Sequence, residues 1–302
     1  MSSSPAPRRK RGRSDWKVAI VFLSPLLAIY AVYYFYSIFF LVRTSFTTVS
    51  ITFFDSVEVG WKNYIELLSD PVFLRSIANN LIFAAVSIVS ALVVAFFIAV
   101  ALSSGVRARR LYYLVFLLPA LTPTSLVATM IGSMLEEHFG IVNVTLRAIG
   151  LGSLAQPWLI NPGLAFGVVC LIFAYLIGLP IMYYTADLSA LPSEAVEAAL
   201  IDGAGTFRIM RSIIFPMMRS THITVILALL LGSFRGLEVV LFSTNSGPGQ
   251  TTSIVGTYLY GFETSSSSVI GYVSAASVIV LVIALIISIV QLVVTRPRKA
   301  LR

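Results

Sequence analysis

The chain has 302 residues, 58% of them hydrophobic and 11% charged, and 21 Lys and Arg against 13 Asp and Glu give it a net charge of +8. A mean hydropathy of +0.92 and a charged share under half the usual quarter exclude a water-soluble globular domain. One cysteine, Cys170, rules out an intrachain disulfide, and no His, Cys, Asp or Glu cluster has metal-ligand spacing, so no metal centre is expected.

Residues 1–17 are rich in Ser, Pro and Arg and read as a disordered basic tail. Apolar-dominated runs follow at 18–41, 81–102, 111–135, 164–188, 223–242 and 270–294. Each can cross a hydrocarbon layer roughly 30 Å thick as a helix, the structure that pairs every backbone amide within its own segment. The expected fold is therefore an all-α membrane protein with six transmembrane helices, occupying 18–295 between the tail and a short basic terminus, 296–302. Sixteen basic residues lie on one side of this arrangement: Arg8, Arg9, Lys10, Arg11, Arg13, Lys17, Arg107, Arg109, Arg110, Arg208, Arg211, Arg219, Arg296, Arg298, Lys299 and Arg302. Only Arg43, Lys62, Arg75 and Arg147 lie on the other. The positive-inside rule then puts both termini in the cytoplasm, and it explains the N-terminal basic run as a topology signal rather than a nucleic-acid patch.

Between the first two runs, Asp70 before Pro71 is the N-cap and first-turn pair of a helix entering the membrane. Pro119 and Pro123 in the third run, and Gly178 with Pro180 in the fourth, predict kinks or local unwinding; a gate and a packing kink both fit. Gly163 with Gly167 and Gly232 with Gly236 have the spacing of close helix approach. Trp158, Tyr258 and Tyr260, in the loops after the third and fifth runs, read as membrane-interface anchors.

The cytoplasmic segment 189–220 is charged and helical between strongly apolar neighbours. Ser193 can cap a first helix ending at Ile201, Gly203 supplies a left-handed terminator, and Thr206 can cap a second helix with Phe207, Met210 and Ile214 on one side. The segment reads Glu197-Ala198-Ala199, three residues, Gly203, nine residues, Ile213, any residue, Phe215-Pro216. This resembles the cytoplasmic docking loop of binding-protein-dependent ABC importer permeases, E-A-A, three residues, G, nine residues, I, any residue, L-P, with Phe215 the one departure. The residues from Gly60 to Phe73 are similar to that family's external segment, and Thr244-Asn245-Ser246-Gly247-Pro248-Gly249 to its external T-G-G-G-P-G turn, with Asn245 and Ser246 in place of two glycines. The resemblance implies that Glu197, Ala198, Ala199, Asp202, Gly203, Ala204, Phe207, Arg208 and Pro216 dock the ATPase.

Arg235 and Glu238 are the two charges well inside a run, three residues apart and so expected on one helix face with Leu231 and Phe242. An ionised side chain costs about 2.5–3.5 kcal/mol at a helix centre, so the pair must face a cavity, another helix or each other. A structural ion pair and a solute contact both fit. Phe234, Arg235 and Glu238 match a family pattern, with Leu237 replacing its second Phe, and the tentative substrate path is Phe234, Arg235, Glu238 and Phe242. No G-x-x-x-x-G-K-[ST] loop occurs, and the lysines are Lys10, Lys17, Lys62 and Lys299, so ATP and Mg are expected in separate ATPase subunits and no catalytic residue in this chain. The six runs show no internal repeat, which a complete alternating-access path normally has. By its resemblance to the carbohydrate-uptake, maltose-type group, the chain is expected to be half of a path in a bacterial cytoplasmic membrane. Its expected partners are ATPase subunits, a second homologous permease, an extracytoplasmic binding protein, the bilayer and a sugar. Glycerol phosphate or another polyol remains an alternative solute. An ion-coupled secondary transporter is a rival class, for which Glu238 would be the chief titratable group.

Overall fold

The computed structural model describes residues 15–49, 56–192, 194–263 and 270–295. Residues 1–14 of the expected tail, the expected cap Ser193 and the basic segment 296–302 lie outside the described residues. The first run is a single rod, in which α1 (Asp15–Tyr30) passes through a π-turn, Ala31–Phe35, into α2 (Tyr36–Ser45). Being apolar all round, it has no face that must pack on the protein, and every side chain from 18 to 40 is exposed. A hairpin that the sequence did not announce follows, β1 (Thr47–Val49) antiparallel to β2 (Ser56–Glu58), with Thr48 opposite Val57.

After α3 (Lys62–Ser69), Asp70 caps α4 (Pro71–Ser90) as expected, accepting from the amides of Val72 at 2.7 Å and Phe73 at 3.4 Å. A π-turn at Ala91–Ala95 carries α4 into α5 (Phe96–Ser103), so this span runs 33 residues from Pro71 instead of starting at 81. The third run is broken rather than kinked. Here α6 (Arg109–Leu121) and α7 (Thr124–Met134) meet at 97°, because Pro123 forces Thr122 out of the helical region, to ψ 139°.

Beyond α8 (Ile141–Ala148) and a 3₁₀ turn, Gly152–Leu154, the fourth span comprises α9 (Pro162–Tyr175) and α10 (Gly178–Leu188), unwound at Leu176 and Ile177. The charged segment holds α11 (Glu194–Ile201), α12 (Thr206–Ile209), a π-turn at Met210–Ile214, and α13 (Phe215–Met217). A 71° bend leads from it into α14 (Arg219–Phe234). The fifth run is therefore not one helix over 223–242: α14 stops at Phe234, and α15 (Leu237–Ser243) starts afresh. Finally α16 (Val255–Glu263) precedes α17 (Ile270–Thr295). Among the described residues four helices are long and apolar enough to cross a membrane, and six when each bent pair is one span.

The core is arranged along α4 and α5. Phe73 packs with Leu67, Val255, Tyr258 and Ala275; Phe83 with Val169, Phe173 and Val240; Phe96 with Ile181, Tyr184, Met218 and Val225. Of the four glycines with close-approach spacing only Gly236 meets another helix, a Cβ there lying 2.7 Å from the Phe173 ring.

Each helix break frees backbone groups that lipid cannot hydrate, and α4 carries polar side chains that take them. At the α9–α10 break the Ile177 amide turns to the Tyr175 carbonyl at 2.8 Å. The carbonyls left behind accept from hydroxyls, Phe173 from Ser87 at 3.1 Å and Ala174 from Ser90 at 2.8 Å. At the α14–α15 break buried Asn80 donates to the Ser233 carbonyl at 2.6 Å and accepts from the Val255 amide at 3.0 Å. Neighbouring Asn79 donates to the carbonyls of Thr251 and Ser253 at 2.9 and 2.7 Å. Asn80→Leu keeps the volume but removes the acceptor of the Val255 amide and leaves the Ser233 carbonyl only the Gly236 amide, at 3.2 Å, so the folded protein should lose about 1–3 kcal/mol, read as a lower detergent melting temperature. An unchanged melting temperature would remove Asn80 from this account.

Candidate docking loop and substrate path

The segment 189–220 forms an exposed helical elbow whose turn explains the motif's spacing. Gly203 has φ +76°, the left-handed conformation expected of it. Its amide donates to Leu200 O at 3.1 Å, and that of Ala204 reaches back to Ala199 O at 2.9 Å. These are the paired bonds of a glycine-closed helix end, so the last alanine of the E-A-A triplet and the residue after the glycine are its two ends. Glu197, Ala198, Asp202, Arg208 and Pro216 are exposed, and Ala199 and Ala204 half-buried. Around the turn three large apolar side chains stand in the open: Leu200 at 58%, Ile201 at 87% and Phe207 at 63%. An exposed apolar knuckle ringed by charge is the surface of a contact site.

Two local expectations are corrected. Gly205, not Thr206, is the N-cap of α12, so Thr206 is the first helical residue. The side expected to carry Phe207 with Met210 and Ile214 is also divided, since Phe207 stands in solvent while Met210 is buried against the core and Ile214 packs beside it.

Behind the elbow lies a histidine the sequence reading passed over. The chain bends after α13, the Phe215 carbonyl is taken by His222 Nε2 at 2.9 Å, and Nδ1 of the same ring meets the buried Tyr184 hydroxyl at 3.0 Å. The Phe215 and His222 rings lie 4.1 Å apart, and Phe96 closes the cluster from α5. His222 thus joins the Phe215-Pro216 end of the motif to α10 and α5. Its sequence signal was a polar ring six residues beyond Pro216, at the polar start Arg219-Ser220-Thr221-His222 of a helix that is apolar from Val225 to Leu231.

The fifth run departs most from expectation. With the helix interrupted at Arg235 and Gly236, Arg235 and Glu238 do not share a continuous face, and Lys62–Glu66 is the one salt bridge among the described residues. Glu238 instead caps α7 from outside, accepting from the Thr124 hydroxyl and, at 3.1 Å, from the Ser125 amide. Pro123 at the N-cap offers no side-chain acceptor, and Glu238 fills that place at a helix end whose dipole favours an anion. Arg235 and Phe242 are exposed, and Phe234 is half-buried. A cleft of about 700 Å³ opens where α6 bends into α7, lined by Phe116, Pro119, Met130, Met134 and Ile177 among others; none of the four path residues lines it.

At the opposite end of the bundle a smaller cavity, about 330 Å³, gathers Asp70, Gln250, Thr257 and Tyr258. Tyr258 is buried, not an interface anchor, and donates to Asp70 at 2.5 Å. Burial opposes ionisation of Asp70, but hydrogen bonds from Tyr258, the Val72 and Phe73 amides and Tyr272 outweigh it and hold the carboxyl below its ordinary value. Trp158 likewise points inward, its indole N–H donating to Asn143 at 2.8 Å. In the turn after α15, Asn245 and Ser246 take φ +49° and +64°, the region that glycine favours, so the substitutions keep a glycine-type backbone.

Residues 91–299 match the binding-protein-dependent transport system inner membrane component family. The chain belongs to that family. The arabinooligosaccharides transport system permease protein AraP of Bacillus subtilis is 28% identical to this permease over 281 residues, 90% of this chain and 86% of that protein. The trehalose/maltose transport system permease protein MalF of Thermococcus litoralis is 28% identical over 243 residues, 80% and 81% of the two chains. The fold matches a chain of a bacterial alginate ABC transporter, solved in complex with alginate pentasaccharide-bound periplasmic protein, with a TM-score of 0.75 at 20% identity over 93% of this permease and 94% of that chain.

Glu238→Leu removes the cap of α7 and should lower stability by about 0.5–2 kcal/mol, whereas Glu238→Gln, which still offers a carbonyl acceptor, should recover much of it. Equal melting temperatures for the two variants would count against capping.

Proposed function

We propose that this permease is one membrane-spanning half of an ATP-driven importer for a sugar or oligosaccharide, with six spans, both ends in the cytoplasm, and its elbow seated in a separate ATPase subunit. The observation that carries the reading is the elbow: an exposed apolar knuckle closed by left-handed Gly203, at the position where the family resemblance puts the docking loop. Supporting the topology, Arg109 and Arg110 line one cavity with Ser189 at the root of the elbow, so two of the basic segments lie at one end of the bundle. The sugar assignment rests on relatives named for arabinooligosaccharide, trehalose and maltose transport. An extracytoplasmic binding protein delivers the solute to the end bearing Asp70 and Tyr258. A second, homologous permease completes the path, and ATP and Mg bind in the ATPase subunits.

In this mechanism the chain supplies a lever and a wall. Closure of the ATPases moves α11 and α12, and His222 carries that movement to α10 and α5 through Phe215 and Tyr184. Exposed Arg235 and Phe242 then face the interface with the second permease, where a guanidinium can hydrogen-bond sugar hydroxyls and a ring can pack on the apolar face of a pyranose. Glu238 keeps α7 in place beside them.

Three variants test the parts separately. Gly203→Val puts a β-branched residue at positive φ, a local cost of about 1–2 kcal/mol, and should leave insertion intact while abolishing uptake and ATPase co-purification. Normal uptake would sink the docking assignment. His222→Phe keeps the ring stack but breaks both hydrogen bonds, so the complex should assemble and hydrolyse ATP while importing less solute per ATP; an unchanged ratio removes His222 from coupling. Arg235→Gln should leave melting and basal hydrolysis unchanged and lower uptake about tenfold, a change of about 1.4 kcal/mol. Uptake at the parental rate would leave Arg235 no role in the path.

A further inference from the structure

A cavity of about 620 Å³ lies between the start of α6 and the end of α10, lined by Arg109, Arg110, Tyr113, Leu114, Met182, Thr185, Ala186 and Ser189. We infer that it is a binding site for the headgroup of one anionic phospholipid, with an acyl chain lying along Leu114 and Met182. The orientation this requires rests on the proposed topology, which puts the cavity at the cytoplasmic leaflet.

The chemistry of the lining selects this ligand. Neither Arg109 nor Arg110 has a carboxylate within salt-bridge distance, so among the described residues two uncompensated guanidinium groups stand at one rim. The Thr185 hydroxyl already donates to Ile181 O at 2.8 Å and that of Ser189 to Thr185 O at 2.7 Å. The arginines, with the Tyr113 hydroxyl, are therefore the donors that face a ligand, and the two guanidinium forks match phosphate oxygens in bidentate fashion. The start of α6 adds to this, since its N-cap, Ala108, makes no side-chain cap and leaves the positive end of the helix dipole open. Beside the arginines the lining is apolar and open: Leu114 is 59% and Met182 38% exposed, with Ala186 also open. A soluble phosphate would gain nothing from that wall, and an acidic protein patch would meet a concave surface set back from the elbow. Basic groups next to exposed apolar side chains are the pattern of a headgroup pocket between membrane helices.

The test is native mass spectrometry of the assembled transporter, released from bilayers of phosphatidylglycerol or of phosphatidylcholine, counting lipid that survives delipidation per copy of this chain. One phosphatidylglycerol and no phosphatidylcholine is expected. Arg109→Gln with Arg110→Gln should lower the bound-to-free ratio about thirtyfold, from about 1 kcal/mol per basic residue. Arg107→Gln, in the same loop but not lining the cavity, should retain the lipid. Should the double variant not assemble, Ala186→Glu places a carboxylate in the cavity and should also expel the lipid. Equal retention of both lipids, retention by the cavity variants, or equal loss from Arg107→Gln overturns the site. Displacement by inorganic phosphate at millimolar concentration assigns the cavity to a soluble anion and overturns it too. Failure of the topology would appear separately, as labelling of the Arg107→Cys variant from outside the cell, and failure of docking as loss of the ATPase from the wild-type complex.

Discussion

Hydrocarbon offers a peptide group nothing to bond to, and this fold depends on meeting that constraint at its helix breaks. Each interrupted helix leaves amides or carbonyls that would cost several kcal/mol if left bare. At the α9–α10 break Ser87 and Ser90 take them, at the α14–α15 break Asn80 does, and at the start of α7 Glu238 does. Two of those three repairs come from α4, which with its continuation α5 carries the three hydrophobic clusters. The chain can break its helices because one long helix carries hydroxyls and amides at the heights where they are needed.

That arrangement also recasts the charges in the fifth run. An isolated Arg–Glu pair three residues apart on a helix is a salt bridge by spacing alone, and the spacing argument fails because Arg235 and Gly236 are the break itself. Once the helix stops there, Glu238 can turn to a neighbouring helix end, where its negative charge meets the Ser125 amide and the Thr124 hydroxyl instead of a guanidinium. Arg235 is left facing outward without a partner of opposite sign among the described residues. The two charges therefore belong to different problems, Glu238 to holding the bundle and Arg235 to whatever lies against it.

How far the sequence discloses this varies with the range of the interaction. The Asp70-Pro71 helix start and the left-handed Gly203 turn are local, set by residues within one turn of each other, and both were legible. The prolines and glycines of the third and fourth runs marked where helices would yield, though not that one break would reach 97°. Asn79 and Asn80 escaped notice because they sit just ahead of the apolar run at 81, and a hydropathy window closes there although the helix had started at Pro71. His222 escaped because its partners, Tyr184 and Phe215, are joined only by tertiary folding. Tyr258 and Trp158 were misread for the same reason: an aromatic near a membrane boundary looks like an anchor until a buried acceptor is found for it.

The distribution of buried surface bears on the proposed assembly. A single chain that formed a whole passage would enclose its polar path and expose an apolar belt all round. Here the first rod is exposed along 18–40, α6 buries none of its side chains, and Arg235 with Phe242 lies open beside a helix break. An uncompensated guanidinium on a lipid-facing surface is unfavourable, and the same group on a water-lined seam between two related subunits is not. The position of Arg235, together with the lack of an internal repeat, thus favours a passage formed between this permease and a second one, over a passage bored through its own bundle.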